Sequence, residues 1–294
     1  MTGSLLSRRR LFRALPALLL LAAPLAAQAD FSASVSFGDS LTHNDLLGLV
    51  YGNPQDLYGK DPFHASWSKG AQPGDHLSNY AVGGSESRHL HTQIELFDFM
   101  VLIGVEPEPT LIDVEIGGND FLNNRDLLAS APPGVDPMVD DVVDRLLVRL
   151  ERDVRHLARK YRQAKIVLWT IPDIVLAPAV WGRYSATEEA NIRAHLARAN
   201  QAIRAAAAAR RIAVYDFAAA FAGYVASPPA FYGHPLVGPP AYGDYDHLFA
   251  DDIHPTAVHN ALHANGILDA LEAAWGGSFP RYSERELADL AHIP

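Results

Sequence analysis

The chemistry this chain could perform is concentrated in four short stretches. The first is Ser36-Phe37-Gly38-Asp39-Ser40-Leu41-Thr42, where an apolar and β-branched approach (Ala33, Val35, Phe37) runs into a glycine and then a polar, helix-compatible segment. Ser40 is thereby expected where a strand ends and a helix begins. A serine hydroxyl is weakly nucleophilic until a histidine takes its proton and N–H groups stabilise the oxyanion that forms, and a helix N-terminus supplies such donors. Alone, Gly-Asp-Ser reads equally as a turn or a helix cap. Asn79-Tyr80-Ala81-Val82-Gly83-Gly84, Gly117-Gly118-Asn119-Asp120 and Asp251-Asp252-Ile253-His254-Pro255 follow in that order, each at the end of a predicted strand or the start of a predicted helix.

The last stretch contains a choice between two acids. Asp251 lies three residues before His254 and Asp252 two, while Pro255, a residue favoured at the first helical position, is expected to start a helix there. A carboxylate at i−3 can fold back across such a turn to accept from His254 Nδ1–H, which leaves Nε2 free. Asp251 is therefore read as the partner of His254, and Asp252 as a solvated or helix-capping residue.

The elements that must position these stretches alternate. Apolar strands are predicted near 33–37, 79–83, 111–116, 165–170 and 212–216, separated by longer helical patterns, which reads as an α/β fold with a parallel sheet and helices on both faces. Val139, Val142, Val143, Leu146, Leu147, Leu150, Val154 and Leu157 recur at helical spacing among charges, as a helix covering such a sheet requires. A second helix is expected from Ala186 to Arg210, capped by Ser185, and a last one from Pro255 to Trp275 before Gly276-Gly277. Residues 51–78 and 223–250, dense in Gly, Pro, Tyr and His, are read as loops walling a cleft. In an open parallel sheet, ligands bind at the carboxyl ends of the strands, where Ser40, Gly84, Asn119 and His254 would all be delivered.

Taken together with Gly-Asp-Ser-Leu, the three later stretches resemble the four sequence blocks of the GDSL family, also called SGNH hydrolases. The resemblance implies a three-layer, flavodoxin-like sandwich around a five-stranded parallel sheet. It implies Ser40 as nucleophile, His254 as its base and Asp251 as the residue orienting that base. Ser40 N–H, Gly84 N–H and the Asn119 amide would form the oxyanion hole, with no metal and no cofactor. The residue types suit these roles, since an amide donates without titrating and a glycine lets its N–H approach a substrate unobstructed. Counting from Asn79 selects Gly84, and a shift of one residue would select Gly83. Ile171-Pro172-Asp173-Ile174 with Pro178 is similar to a segment of the family's lipase and lecithinase-like branch, whereas Thr42-His43-Asn44-Asp45 departs from that branch.

Residues 1–29 read as an export signal. A basic Ser7-Arg8-Arg9-Arg10-Leu11-Phe12-Arg13 precedes an apolar run from Ala14 to Ala27 and ends in the small-x-small pattern Ala27-Gln28-Ala29. The rival is a membrane anchor, but Pro16 and Pro24 interrupt the run and it falls short of the ~20 residues a span needs. The paired arginines resemble a twin-arginine signal, with a Sec route as alternative, and place a bacterial protein in the periplasm or medium, with residues 30–294 as one domain beginning at Asp30. Removing the leader's four arginines leaves 20 basic (24 − 4) against 34 acidic residues, net −14 with histidines neutral. Such a surface argues against nucleic acid and against anionic membranes. The absence of cysteine excludes disulfides and a thiol nucleophile.

Thirteen histidines raise a metal reading, but His259 and His263 have Asn260 where a zinc hydrolase of the His-Glu-x-x-His type has its glutamate. The expected partner is a small-molecule, lipid or carbohydrate ester. The expected activity is an exported carboxylesterase or lipase working through an acyl-enzyme. A carbohydrate O-deacetylase is the alternative on the same site, and a non-enzymatic carbohydrate- or lipid-binding module the rival outside catalysis. Loop aromatics (Tyr51, Tyr58, Phe63, Trp67, Phe231, Tyr232, Tyr242, Tyr245) are expected to line an acyl groove or stack on sugars.

Overall fold

A computed structural model describes residues 28–43, 47–210 and 212–294. The segment expected to be an export leader falls almost entirely on residues 1–27, outside the described residues, as do Asn44 and Asp45. Five parallel strands, β1 (Ala33–Phe37), β2 (His76–Asn79), β3 (Leu111–Val114), β4 (Lys165–Trp169) and β5 (Ala213–Tyr215), form one sheet in the order β2-β1-β3-β4-β5. This is the flavodoxin-like order, and its switch point lies between β1 and β3, where successive connections leave to opposite faces and open a crevice.

Side-chain alternation along the strands builds two cores. Val35, Phe37, Ile112, Val114, Ile166 and Leu168 face one layer, where they meet α4 (Ser87–Leu102), α7 (Pro137–Lys160) and α8 (Ala186–Ala208). Leu111, Val167 and Trp169 face the other, against α3 (Pro62–Gly70), α9 (Phe217–Ala226), α10 (Ala257–Trp275) and α11 (Glu284–Leu290). The result is a three-layer α/β sandwich. The shorter helices α1 (Leu47–Tyr51), α2 (Gln55–Tyr58), α5 (Gly118–Asn123) and α6 (Arg125–Ser130) and the hairpin β6-β7 (Ala230–Phe231, His234–Pro235) lie in the connections.

The long helices form as their periodicity predicts. Val139, Val143, Leu146, Leu150, Val154 and Leu157 are buried along α7, each such side chain contributing about 1.5–3 kcal/mol when fully removed from water, while Val142 and Leu147 are half-buried at the edge of that face. Asp136 caps this helix by accepting from Met138 N–H, and Pro137 occupies its first turn. Ser185 and Glu188 form a reciprocal capping box at the start of α8.

Three expectations about the connections change. The second strand is His76–Asn79 and not 79–83: Asn79 turns the chain by accepting from Ala81 N–H (3.0 Å) and donating to Thr42 O (2.6 Å), so the apolar residues after it lie beyond the strand. Residues 51–78 are not one loop, since they hold α2, α3 and β2, and α3 packs on α10 as part of the second layer. The helix expected from Pro255 begins at Ala257, with Thr256 as its cap, and is not the last, since α11 follows it. Pro255 is instead held in a bridge to Phe249.

Candidate active site

Gly38 ends β1 at the switch point, and only glycine fits there. A Cβ would stand 2.2 Å from Glu115 O and 2.3 Å from Thr42 Oγ1. The next residues form a turn, not the first turn of a helix: Asp39 Oδ1 accepts from Leu41 N–H (3.0 Å) and Asp39 O from Thr42 N–H (3.3 Å). Ser40 therefore sits at the tip of a tight turn over the carboxyl end of β1, and the next described helix starts at Leu47.

The segment before α10 brings His254 to that turn. His254 Nε2 lies 2.8 Å from Ser40 Oγ, and its Nδ1 lies 2.8 Å from Asp251 Oδ2. Asp251 also accepts backbone N–H groups from Ile253 (2.8 Å) and His254 (2.7 Å) on Oδ1. Burial works against its ionisation, but the hydrogen bond and charge of His254 and these backbone donors outweigh it and hold the carboxyl below its usual range. An ionised carboxylate only accepts, so the neutral tautomer of His254 that this contact selects has its proton on Nδ1 and Nε2 free to accept from Ser40. Asp252 takes no part in this relay and does not cap α10. Its carbonyl accepts from Ala179 N–H, which leaves the capping to Thr256.

Asn119, in the first turn of α5, borders the same cavity as Ser40. Its amide donates to Asp39 Oδ2 (2.9 Å) and to Ser85 O (3.1 Å), so both N–H bonds have partners. Behind it, Asp39 N–H donates to Glu115 Oε2 (3.5 Å), and both carboxyl groups are buried. Burial raises Asp39. It raises Glu115 well above its usual range, helped by the Asp39 charge. Of the two neighbouring glycines, Gly84 has φ +76, which favours glycine, while a Cβ at Gly83 would come within 3.9 Å of Ser40 Cβ.

Two residues to which the sequence reading gave no such role tie this assembly together. Gln93, buried on α4 among Leu90, Ile94 and Phe97, accepts from Gly38 N–H (3.0 Å) and donates to Gly38 O (2.8 Å) and Ser85 Oγ (3.1 Å). It thus joins the Ser40 turn to the Gly83-Gly84 loop. A polar residue on the apolar stripe of a helix was the available signal. Tyr58, expected to line a groove, is fully buried, and its hydroxyl donates to Asp251 Oδ2 (3.2 Å).

The cavity beside Ser40 measures about 40 Å³. Its apolar wall comes from Leu41, Leu122, Ile174, Phe217 and Phe221, with Pro172 and Asp173 at its edge. Neither stretch 51–78 nor 223–250 lines this cavity; residues 51–78 meet the site instead at His254 and Asp251, through Tyr51 and Tyr58. Among the expected aromatics, Tyr58 and Phe63 are fully buried, and Tyr51 stands beside His254 with ring centroids 5.4 Å apart. The possible metal pair does not face a cavity: His259 and His263 are buried with their Nε2 atoms hydrogen-bonded to each other at 3.0 Å. Among the described residues, no group of three or more His, Cys, Asp or Glu could hold a metal ion, and no helix is long and apolar enough to cross a membrane.

The model of the GDSL-like Lipase/Acylhydrolase family matches residues 36–262. Among solved structures, a chain assigned as a GDSL-like lipase from Parabacteroides merdae superposes with a TM-score of 0.51 at 14% identity, covering 86% of this chain and 99% of its own. An extracellular lipase from Streptomyces rimosus gives 0.50 at 17% identity, with 83% and 99% covered. No curated protein matches the chain in sequence. Identities this low speak for the fold alone. The family match, in contrast, spans well over half of the residues and all four blocks, and by it the chain belongs to the GDSL-like lipase/acylhydrolase family and is an ester hydrolase.

Proposed function

We propose that the protein is an exported serine carboxylesterase or lipase acting through an acyl-enzyme. Ser40 Oγ attacks the ester carbonyl while His254 Nε2 takes its proton, and Asp251 holds the imidazole and stabilises the imidazolium. As the carbonyl carbon closes to Ser40, its oxygen becomes an oxyanion received by the N–H groups of Ser40 and Gly84 and by the Asn119 amide. The alcohol leaves with the proton from His254, and water then repeats the sequence to release the acid. The observation that carries this reading is the continuous relay from Asp251 through His254 to Ser40, each link 2.8 Å.

The cavity beside Ser40 supports a preference for short acyl groups. An apolar cavity that binds benzene measures about 150 Å³, and about 40 Å³ accommodates much less. A series of p-nitrophenyl esters should therefore give the highest kcat/KM at acetate to butyrate and fall towards octanoate. A maximum at long chains would contradict the assignment. Carbohydrate O-deacetylation is the second reading, favoured by the same small cavity, and faster release of acetate from acetylated xylan than from p-nitrophenyl acetate would select it. Phosphatidylcholine in the same assay tests the lipid arm. Export is tested by sequencing the N-terminus of the protein recovered outside the cytoplasm, which should begin at Asp30.

A further inference from the structure

Asp251 receives four hydrogen bonds, and one of them comes from a distant part of the chain. Oδ1 accepts the N–H groups of Ile253 and His254, while Oδ2 accepts His254 Nδ1–H at 2.8 Å and the hydroxyl of Tyr58 at 3.2 Å. Tyr58 ends α2 and is fully buried. Asn53 Nδ2 donates to the Tyr58 oxygen (3.1 Å), which directs the hydroxyl's own proton towards Asp251. Asn260 Nδ2 on α10 holds Tyr58 by its carbonyl (2.9 Å). Burial, in the presence of the Asp251 charge and only partly offset by Asn53, pushes the phenol up to about 12. The hydroxyl therefore keeps its proton throughout the working range of an esterase.

We propose that Tyr58, oriented by Asn53, is a positioning residue for the Ser40–His254–Asp251 relay, its hydroxyl fixing the Asp251 carboxylate and tempering its attraction for the His254 proton. This inference rests on the serine-hydrolase reading of the site. A donor on Oδ2 spreads the carboxylate charge, so Asp251 competes less strongly for the proton on Nδ1. Without it, Oδ2 keeps only the bond from His254. The imidazolium is then better stabilised, and the carboxylate gains freedom to turn. The other titratable groups facing the cluster are Tyr51 on α1, Asp39 on the Ser40 turn and Asp252, and they are unchanged by a substitution at Tyr58.

The experiment compares wild type, Tyr58→Phe, Asn53→Ala and Ser40→Ala on p-nitrophenyl butyrate, with kcat of the three chains that keep Ser40 expressed per active site after titration by a serine-directed inhibitor and that of Ser40→Ala per mole of protein. Tyr58→Phe keeps the ring and should lower kcat about tenfold with KM nearly constant. It should also move the acid limb of the kcat/KM profile upward by about half a pH unit. Asn53→Ala should move the limb in the same direction by less, and it carries the measurement if Tyr58→Phe does not fold. A purely structural role would reduce the titratable fraction and the melting temperature while leaving the limb in place, and that result overturns the proposal. If Ser40→Ala is inactive and the limb does not move in either variant, the positioning role alone falls. If Ser40→Ala retains activity, the relay itself is wrong and the role of Tyr58 falls with it.

Discussion

Asp251 grips His254 twice, accepting its backbone N–H at 2.7 Å and lying 2.8 Å from its Nδ1, across a turn of three residues. One carboxylate thus fixes both where the histidine backbone sits and which ring nitrogen carries the proton. Asp251→Asn should lower kcat by ~10²–10⁴-fold, because an amide at this position no longer enforces the Nδ1–H tautomer. Asp252→Asn should retain at least half of the wild-type rate. Both are measured in one kinetic assay, and the reverse ordering would show that the wrong acid has been assigned.

Asn119 is engaged before any substrate arrives, donating to Asp39 and to Ser85 O. For its amide to receive an oxyanion, one of these bonds must be shared or given up as charge develops. Asn119→Ala should therefore lower kcat by ~10²–10³-fold with little change in KM. It should also reduce stability, by about 1–3 kcal/mol, since the buried Asp39 carboxyl loses a donor. Steady-state kinetics together with urea unfolding separate the two effects, and a change in KM alone would assign Asn119 to substrate positioning.

The buried pair His259 and His263 gives a pH dependence whose sign can be worked out. Burial brings His259 down to about 4 and, together with its neighbour's charge, His263 well below the usual range. Both are neutral in the folded protein and take up protons on unfolding below ~6.5. The unfolded chain then binds more protons, so this contribution to stability is complete above about pH 6.5 and is lost as the pH falls towards 4. Asp113 and Glu115 act in the opposite sense: burial raises them, and their contribution grows on acidification. A variant isolates the histidine part. Between pH 7 and 5, His263→Gln should lose about 2 kcal/mol less in urea unfolding than wild type does. Equal losses would show that His263 is not held neutral.

The same pair bears on metal dependence. With their Nε2 atoms bonded to each other, His259 and His263 have no lone pairs aimed at a common ion, and His259 Nδ1 is already engaged with Leu248 O at 2.8 Å. Esterase activity should survive dialysis against EDTA. Loss on chelation with recovery on adding zinc would return these histidines to consideration.

Residue types and their local spacing determined much of this protein. The four blocks, the alternation of β1, β3, β4 and β5 with α7 and α8, and the choice of Asp251 over Asp252 rest on residues within a few positions of one another, where strand and helix periods and turn chemistry operate. Tertiary structure decided the rest. Tyr58 meets Asp251 across 193 positions, Gln93 meets Gly38 across 55, and Asn119 meets Asp39 across 80. Only the order of strands in the sheet sets which of these distant side chains become neighbours. The apolar run Tyr80-Ala81-Val82 looked like strand because hydrophobicity marks burial, not hydrogen-bond register. Pro255 looked like a helix start because its fixed φ suits one, yet a bridge to Phe249 holds it out of α10 and passes the cap to Thr256. The wall of the cavity was misplaced for the same reason: Phe217 and Phe221 of α9 border the cavity beside Ser40 through the tertiary arrangement, which no local pattern encodes.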